Sequence, residues 1–170
     1  MSIPSPGQAR YFVSFKDDHN GFRVLYFMKQ KLEVAELFKK FASRVRTETG
    51  NPVKTLRSDN GGEYTSTAFK QFLAKEGIRH ETSALHTPQQ NGVTERENRT
   101  IMESARSILH SRSIELELWA EAVNCAIYIL NRVTNSTIST TPYEEWYGRK
   151  PKFLPFQNVW MQSVSSHSRT

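Results

Sequence analysis

One cysteine, Cys125, is all that this chain of 170 residues contains, so no internal disulfide can form and a reducing compartment is expected. No run of about eighteen apolar residues marks a membrane span. The first residues also lack the basic-then-apolar order of a secretory signal. No internal repeat is visible. These absences exclude a disulfide-stapled secreted scaffold, argue against a membrane partner and predict an intracellular protein.

What is present suits one globular domain, since 37% hydrophobic residues over this length can build a full core. A net charge of +6 with a pI near 9.5 points to a polyanionic partner, although a basic excess also serves solubility. Tyr11 to Phe15 and Phe22 to Met28 are aromatic and β-branched, with turn chemistry from Asp17 to Gly21 between them, and read as a β-hairpin. Val34, Leu37, Phe38, Phe41 and Val45 recur at helical spacing and predict a helix over Leu32 to Thr49, stopped by Gly50. A strand over Val53 to Leu56 ends on Asp59. A shorter helix with Ala68, Phe69, Phe72 and Leu73 on one face follows, closed by Gly77, and then an edge strand over Ile78 to Thr82.

The polar stretch Ser83 to Asn91 reads as a loop, Val93 to Ser111 as a helix with Glu95 on its first turn, and Leu116 to Val133 as a more apolar helix. Leu118, Ala122, Val123, Ala126, Ile127 and Leu130 form the buried stripe of the latter, and Cys125 is assigned to the core. Thr141-Pro142-Tyr143-Glu144 has the form of a capping box with proline at the first helical position, which predicts a last short helix. Trp119, Trp146 and Tyr147 are assigned to packing rather than to base stacking. The expected organisation is a disordered leader over 1–9, a domain over 10–151 and an irregular or disordered tail over 152–170.

Two acidic residues carry the functional signal. Asp59 sits in Leu56-Arg57-Ser58-Asp59-Asn60-Gly61-Gly62-Glu63-Tyr64, Glu95 sits in Thr87-Pro88-Gln89-Gln90-Asn91-Gly92-Val93-Thr94-Glu95-Arg96, and thirty-five residues separate them. Each alone is ordinary: Asp59 could close a strand into a turn, and Glu95 could complement a helix dipole. Together, a strand end and a helix start can bring two carboxylates to one metal. On the helix, at about 100° per residue, Glu95, Arg99, Met102 and Arg106 project within one sector, while Ile101, Ala105, Ile108 and Leu109 cluster beside it.

These runs, with Phe15-Lys16-Asp17-Asp18 and Thr141 to Gly148, resemble the catalytic core of a retrotransposon integrase, most closely the Copia type, over Arg10 to Pro151. The resemblance implies a ribonuclease H-like α/β fold with a mixed sheet flanked by helices, and an Asp-Asp-Glu triad of which Asp59 and Glu95 match the last two members. In the family the first Asp lies on a central strand just upstream of a Gly-Pro loop. This chain begins in such a loop, so that strand and its Asp have no counterpart here, and Pro4 and Pro6 prevent Met1 to Ala9 from replacing it. Asp17 and Asp18 lie at the far end of the hairpin's first strand and read as solvated turn acids. The paired-His, paired-Cys zinc module that integrases carry upstream is also absent from this chain.

The resemblance further implies Mg²⁺ or Mn²⁺ held by Asp59 and Glu95, with binding impaired by the missing carboxylate, and DNA as partner. Arg96, Asn98, Arg99 and Arg106 would follow the phosphate backbone, with Gln89, Gln90 and Asn91 reaching base edges or sugars and Gly92 as a hinge. Homo-oligomers and a nuclear site of action follow if the chain behaves as the family does. The expected function is that of a fragment of a retrotransposon Pol integrase core, inactive alone. The alternatives are a non-catalytic nucleic-acid-binding module and a hydrolase of the ribonuclease H type; the Pro-Gln-Gln loop and the long helices after Glu95 speak against the second.

Overall fold

The computed structural model describes residues 3–58, 61–82, 88–111, 113–134, 139–152 and 158–160, with the backbone alone for 88–91, 93 and 94. The chain divides into two compact units, one made of Met1–Lys29 with Arg99–Thr170 and the other of Gln30–Asn98. The mixed α/β class expected from the sequence is present. Among the described residues four strands form two two-stranded sheets, one in each unit, and none of these four is the central first strand that the resemblance implies.

In the first unit, β1 (Tyr11–Lys16) and β2 (Arg23–Met28) pair antiparallel, with Phe15 opposite Val24 and Tyr11 opposite Met28. The turn is built by Asp17, whose Oδ1 accepts from the backbone N–H of His19 at 2.8 Å and of Asn20 at 3.1 Å. Gly21 completes it at φ +73°, a conformation that L side chains rarely adopt. Asp17 is therefore a turn-building acid, as expected. Residues 99–111 of helix α3 (Pro88–Ser111), whose earlier turns belong to the second unit, and helix α4 (Trp119–Leu130) supply the core, in which Ile101, Ala105, Leu109, Trp119, Val123 and Ala126 gather.

The burial of α4 is wider than the expected stripe. Cys125 and Trp119 are buried, as expected, and Ala120 and Glu121 are buried too, whereas Leu118 and Leu130 are half-buried, because small alanines let neighbours close on several sides of the helix. Buried Asn131 ties the end of α4 to β2, donating to the Arg23 carbonyl at 2.8 Å and accepting from the Arg23 N–H at 2.9 Å. Helix α5 (Pro142–Tyr147) starts on the expected capping box, with Thr141 accepting from Glu144 N–H at 3.2 Å and Glu144 accepting from Thr141 N–H at 2.9 Å. The backbone and then the hydroxyl of Thr141 hold the Glu144 carboxyl below the usual carboxylate range. Thr141→Ala is expected to lower the unfolding free energy by about 1 kcal/mol; urea titration of the two proteins measures it, and an unchanged midpoint would deny the cap its role.

Phe22 stacks on Trp146 at 4.7 Å between centroids and meets Tyr147 edge-on at 5.6 Å, so both aromatics pack, as does Trp119 against Phe27. Within the expected leader, residues 3–9 close a turn of their own: Ser5 N–H donates to the Ala9 carbonyl at 2.9 Å and Gln8 N–H to the Ser5 carbonyl at 2.8 Å. Ser5 and Ala9 are buried, and Trp119 Nε1 donates to the Ile3 carbonyl at 3.0 Å. Apolar contact and satisfied backbone polar groups offset the entropy that composition alone suggested would win. In the expected tail, Val159 is buried and Trp160 packs on the core, while 153–157 and 161–170 lie outside the described residues.

The second unit holds α1 (Val34–Thr49), β3 (Thr55–Ser58), α2 (Thr67–Glu76) and β4 (Arg79–Thr82). Gly50 at φ +72° and Gly77 at φ +68° end the two helices where the sequence placed their stops. Val34, Phe38, Phe41 and Val45 of α1 are buried, and Phe38 meets Phe69 of α2 edge-on at 5.7 Å. Ala68 is exposed, so the buried face of α2 is narrower than expected. Strands β3 and β4 run parallel, with Leu56 beside His80 and Ser58 beside Thr82.

Candidate metal and nucleic-acid site

Strand β3 ends at Ser58, immediately before Asp59; Asp59 itself lies outside the described residues. Helix α3 begins at Pro88, earlier than the expected Val93, because proline is preset for the first turn of a helix and needs no donor there. Three consequences correct the sequence reading. Glu95 lies two turns into the helix and not on its first turn, Gly92 is a helical residue and not a loop hinge, and Gln89, Gln90 and Asn91 are part of the helix. The side chains of those last three lie outside the described residues.

The two-sided character of α3 is present as expected. Glu95, Arg96, Asn98, Arg99 and Arg106 are exposed, while Ile101, Ala105 and Leu109 are buried and Met102 and Ile108 half-buried. Apolar residues recurring every three or four positions force this, since only one stripe of the helix can enter the core. Arg96 turns back along its own helix, donating from Nε to the Gly92 carbonyl at 2.9 Å.

Across β3 and β4 lies a contact that the sequence reading passed over. His80 Nε2 lies 2.8 Å from Ser58 Oγ, and its ring is 6.3 Å from that of Tyr64 and 6.3 Å from that of Phe69. Burial first, and then the charge of Lys70, lowers the pKa of this imidazole below its ordinary value. On the other face of the same strand pair, Arg57 Nε meets Glu81 Oε2 at 2.8 Å, and that bond holds Glu81 below the usual carboxylate range. Only the parallel register brings Ser58 and His80 together; in the sequence His80 looked like one scattered histidine of five.

The two sequence-predicted metal ligands are carboxylates, hard oxygen donors of the kind that Mg²⁺ and Mn²⁺ take while keeping several waters and substrate oxygens. Glu95 is exposed and fits that role in type. Among the described residues no group of three His, Cys, Asp or Glu side chains gathers, and no helix is long and apolar enough to cross a membrane.

Residues 1–88 match the model of the integrase core domain family. The retrovirus-related Pol polyprotein from transposon TNT 1-94 of Nicotiana tabacum is 48% identical over 132 residues, which make up 78% of this chain and 10% of that protein. The corresponding polyprotein from transposon RE2 of Arabidopsis thaliana is 34% identical over 145 residues, 85% of this chain and 10% of its relative. The chain thus spans about a tenth of the length of the curated relatives it matches. The catalytic core domain of BIV integrase superposes with a TM-score of 0.60 at 23% identity, covering 81% of this chain and 85% of that one. A chain of the simian T-cell lymphotropic virus intasome, solved in complex with PP2A regulatory subunit B56 gamma, gives 0.64 at 18% identity over 85% of this chain and 50% of its own. At these identities the likeness is one of fold, the ribonuclease H-like α/β core, whose strands among the described residues form two two-stranded sheets here. By identity over more than two thirds of its length, by the family model and by fold, this chain belongs to the integrase core domain family, in the branch carried by retrotransposon Pol polyproteins.

Proposed function

We propose that this chain carries two of the three carboxylates of an integrase centre, Asp59 and Glu95, and binds DNA along the exposed side of α3 without joining strands when alone. The observation that carries the reading is the exposure of Arg99 and Arg106 on the part of α3 whose opposite side, Ile101, Ala105 and Leu109, is anchored in the core of the first unit, with Glu95 and Asn98 exposed on the preceding turns.

Arg99 and Arg106 neutralise phosphates and set the position of the duplex, a contact that carries no sequence information. Arg96 joins them by exchanging its Gly92 contact for a phosphate oxygen, and Asn98 donates to the same backbone. Gln89, Gln90 and Asn91 reach base edges or sugars from the start of the helix. Asp59 and Glu95 present oxygens to Mg²⁺ or Mn²⁺. Held there, a divalent ion would supply Lewis-acid stabilisation of a leaving 3′-oxygen and activation of an attacking hydroxyl or water. Asp59 and Glu95 are the two of the family's three carboxylates that these 170 residues would contribute, so a metal would be held here by an incomplete set.

Strand-transfer and DNA-binding assays on the whole chain in Mg²⁺ and Mn²⁺ test this. The expected result is salt-sensitive DNA binding without joined product. Strand transfer by the wild-type chain that disappears in Asp59→Asn or Glu95→Gln would establish an active enzyme and overturn the inactivity proposed here. Cleavage of an RNA–DNA hybrid without joining would instead support the hydrolase reading.

A further inference from the structure

The end of α4 meets the start of α5 through a guanidinium held by tyrosines. The Asn131 carbonyl accepts from Tyr143 N–H at 2.8 Å and joins the two helices. The next residue, Arg132, has its guanidinium carbon 3.5 Å from the centroid of the Tyr128 ring and 4.5 Å from that of Tyr143. Tyr147 lies against Tyr143 at 4.7 Å and against Phe22 at 5.6 Å, so the buried ring of Phe22 backs the stack.

Among the described residues no carboxylate pairs with this cation. Its one hydrogen bond among them runs from Nη1 to the Tyr128 carbonyl at 3.2 Å, and Nε is buried without a partner there. The acids of α5 are engaged elsewhere: Glu144 accepts from Thr141 N–H at 2.9 Å, and Glu145 from the Thr140 hydroxyl at 2.6 Å. Arg149, Lys150 and Lys152 are exposed on the chain that leaves α5. The Lys152 carbonyl accepts from the Tyr128 hydroxyl at 3.3 Å, which brings that chain back to the stack. We propose that the junction of α4 and α5 is a second phosphate-contacting surface for a nucleic-acid strand, with Arg132 as its fixed anchor and Arg149, Lys150 and Lys152 as flanking charges.

A guanidinium is always charged and weakly hydrated, and ring faces orient it without neutralising it. With two rings over it and Nε buried, Arg132 offers a further acceptor its Nη edge, the fork that fits phosphate oxygens. Being fixed beforehand, it loses little side-chain freedom on binding. A single small anion would engage the fork alone. The cations that follow over 149–152 suit a ligand with repeated charges, and the net charge of +6 favours a polyanion. The surface goes beyond the α3 reading and shares no residue with it.

Two measurements on the whole chain decide. The Nε–H resonance of Arg132 in isotope-labelled protein is expected to move saturably as duplex DNA is added, and to stay in place with inorganic phosphate at equal phosphate concentration. The salt dependence of binding, read by fluorescence anisotropy, is the second. Arg132→Gln is expected to flatten the slope of log K on log salt by about 0.9, and Lys150→Ala with Lys152→Ala by about 1.8. Arg132→Lys keeps the charge, so it should keep the slope while losing affinity several-fold with the fork and the ring fit.

An Arg132→Gln chain that melts lower yet keeps the wild-type slope marks a staple between helices and overturns the proposal. A resonance that moves with inorganic phosphate or an acidic peptide but not with DNA overturns it as well. If Arg132→Gln does not fold, the lysine pair and the wild-type resonance decide. A slope flattened by Arg132→Gln but unaltered by Arg99→Ala with Arg106→Ala defeats the α3 reading alone, and the reverse defeats this one alone.

Discussion

Replacement of Trp119 by alanine is expected to lower the unfolding free energy of the chain by about 3 to 5 kcal/mol, the range for removing a large buried aromatic. Trp119 is 1% exposed, meets Phe27 edge-on at 5.7 Å between centroids and sits in the cluster with Ile101, Ala105 and Val123. The cavity left behind cannot collapse easily, because its walls come from helices α3 and α4, whose own buried residues fix their separation. The Ile3 carbonyl also loses its donor, which adds about 1 kcal/mol and frees residues 3–9 from the core. Trp119→Phe keeps most of the ring but not the N–H, so it should fall between the two. Urea unfolding followed by circular dichroism gives all three values. A loss below about 1 kcal/mol for the alanine variant would mean that Trp119 is not the centre of this core.

The second large effect concerns DNA. Arg99→Ala combined with Arg106→Ala is expected to flatten the dependence of log K on log salt by about 1.8, since each phosphate contact on duplex DNA contributes about 0.9. The loss should be nearly uniform across DNA sequences, because phosphate contacts position a protein without reading bases. Both arginines are exposed, and the residues between them that turn inward, Ile101 and Ala105, remain untouched, so folding should be preserved. Fluorescence anisotropy at several salt concentrations measures the slope. A slope equal to that of the wild type would assign the α3 surface to ordinary solvation and move the search for the DNA contact elsewhere on this basic chain.

The candidate site was partly legible because its motifs are local. Asp59 and Glu95 stand out by neighbours and spacing, and the exposed and buried sides of α3 follow from a periodicity that needs no partner to be read. The start of α3 was misjudged because the Pro-Gln-Gln run has the composition of a loop, while proline also opens helices; composition does not choose between these. Residues 3–9 show the same limit. Two prolines and a glycine look irregular in isolation, while the contacts of this segment, Ile3 with the Trp119 indole and Ala9 with the core cluster, lie about a hundred positions away.

By itself, the sequence determined everything whose physics acts within a few residues: the hairpin turn closed by Asp17 and Gly21, the helix stops at Gly50 and Gly77, the Thr141 capping box, and the buried stripes of α1 and α3. Tertiary structure alone decided which distant groups meet. It placed His80 against Ser58 through the register of two parallel strands, tied Asn131 to Arg23, and brought Ile3 to Trp119. A strand or helix signal is written in dihedral preferences and side-chain period, both local. A register or a docking contact is chosen by the packing of the whole core, which no short window of sequence contains.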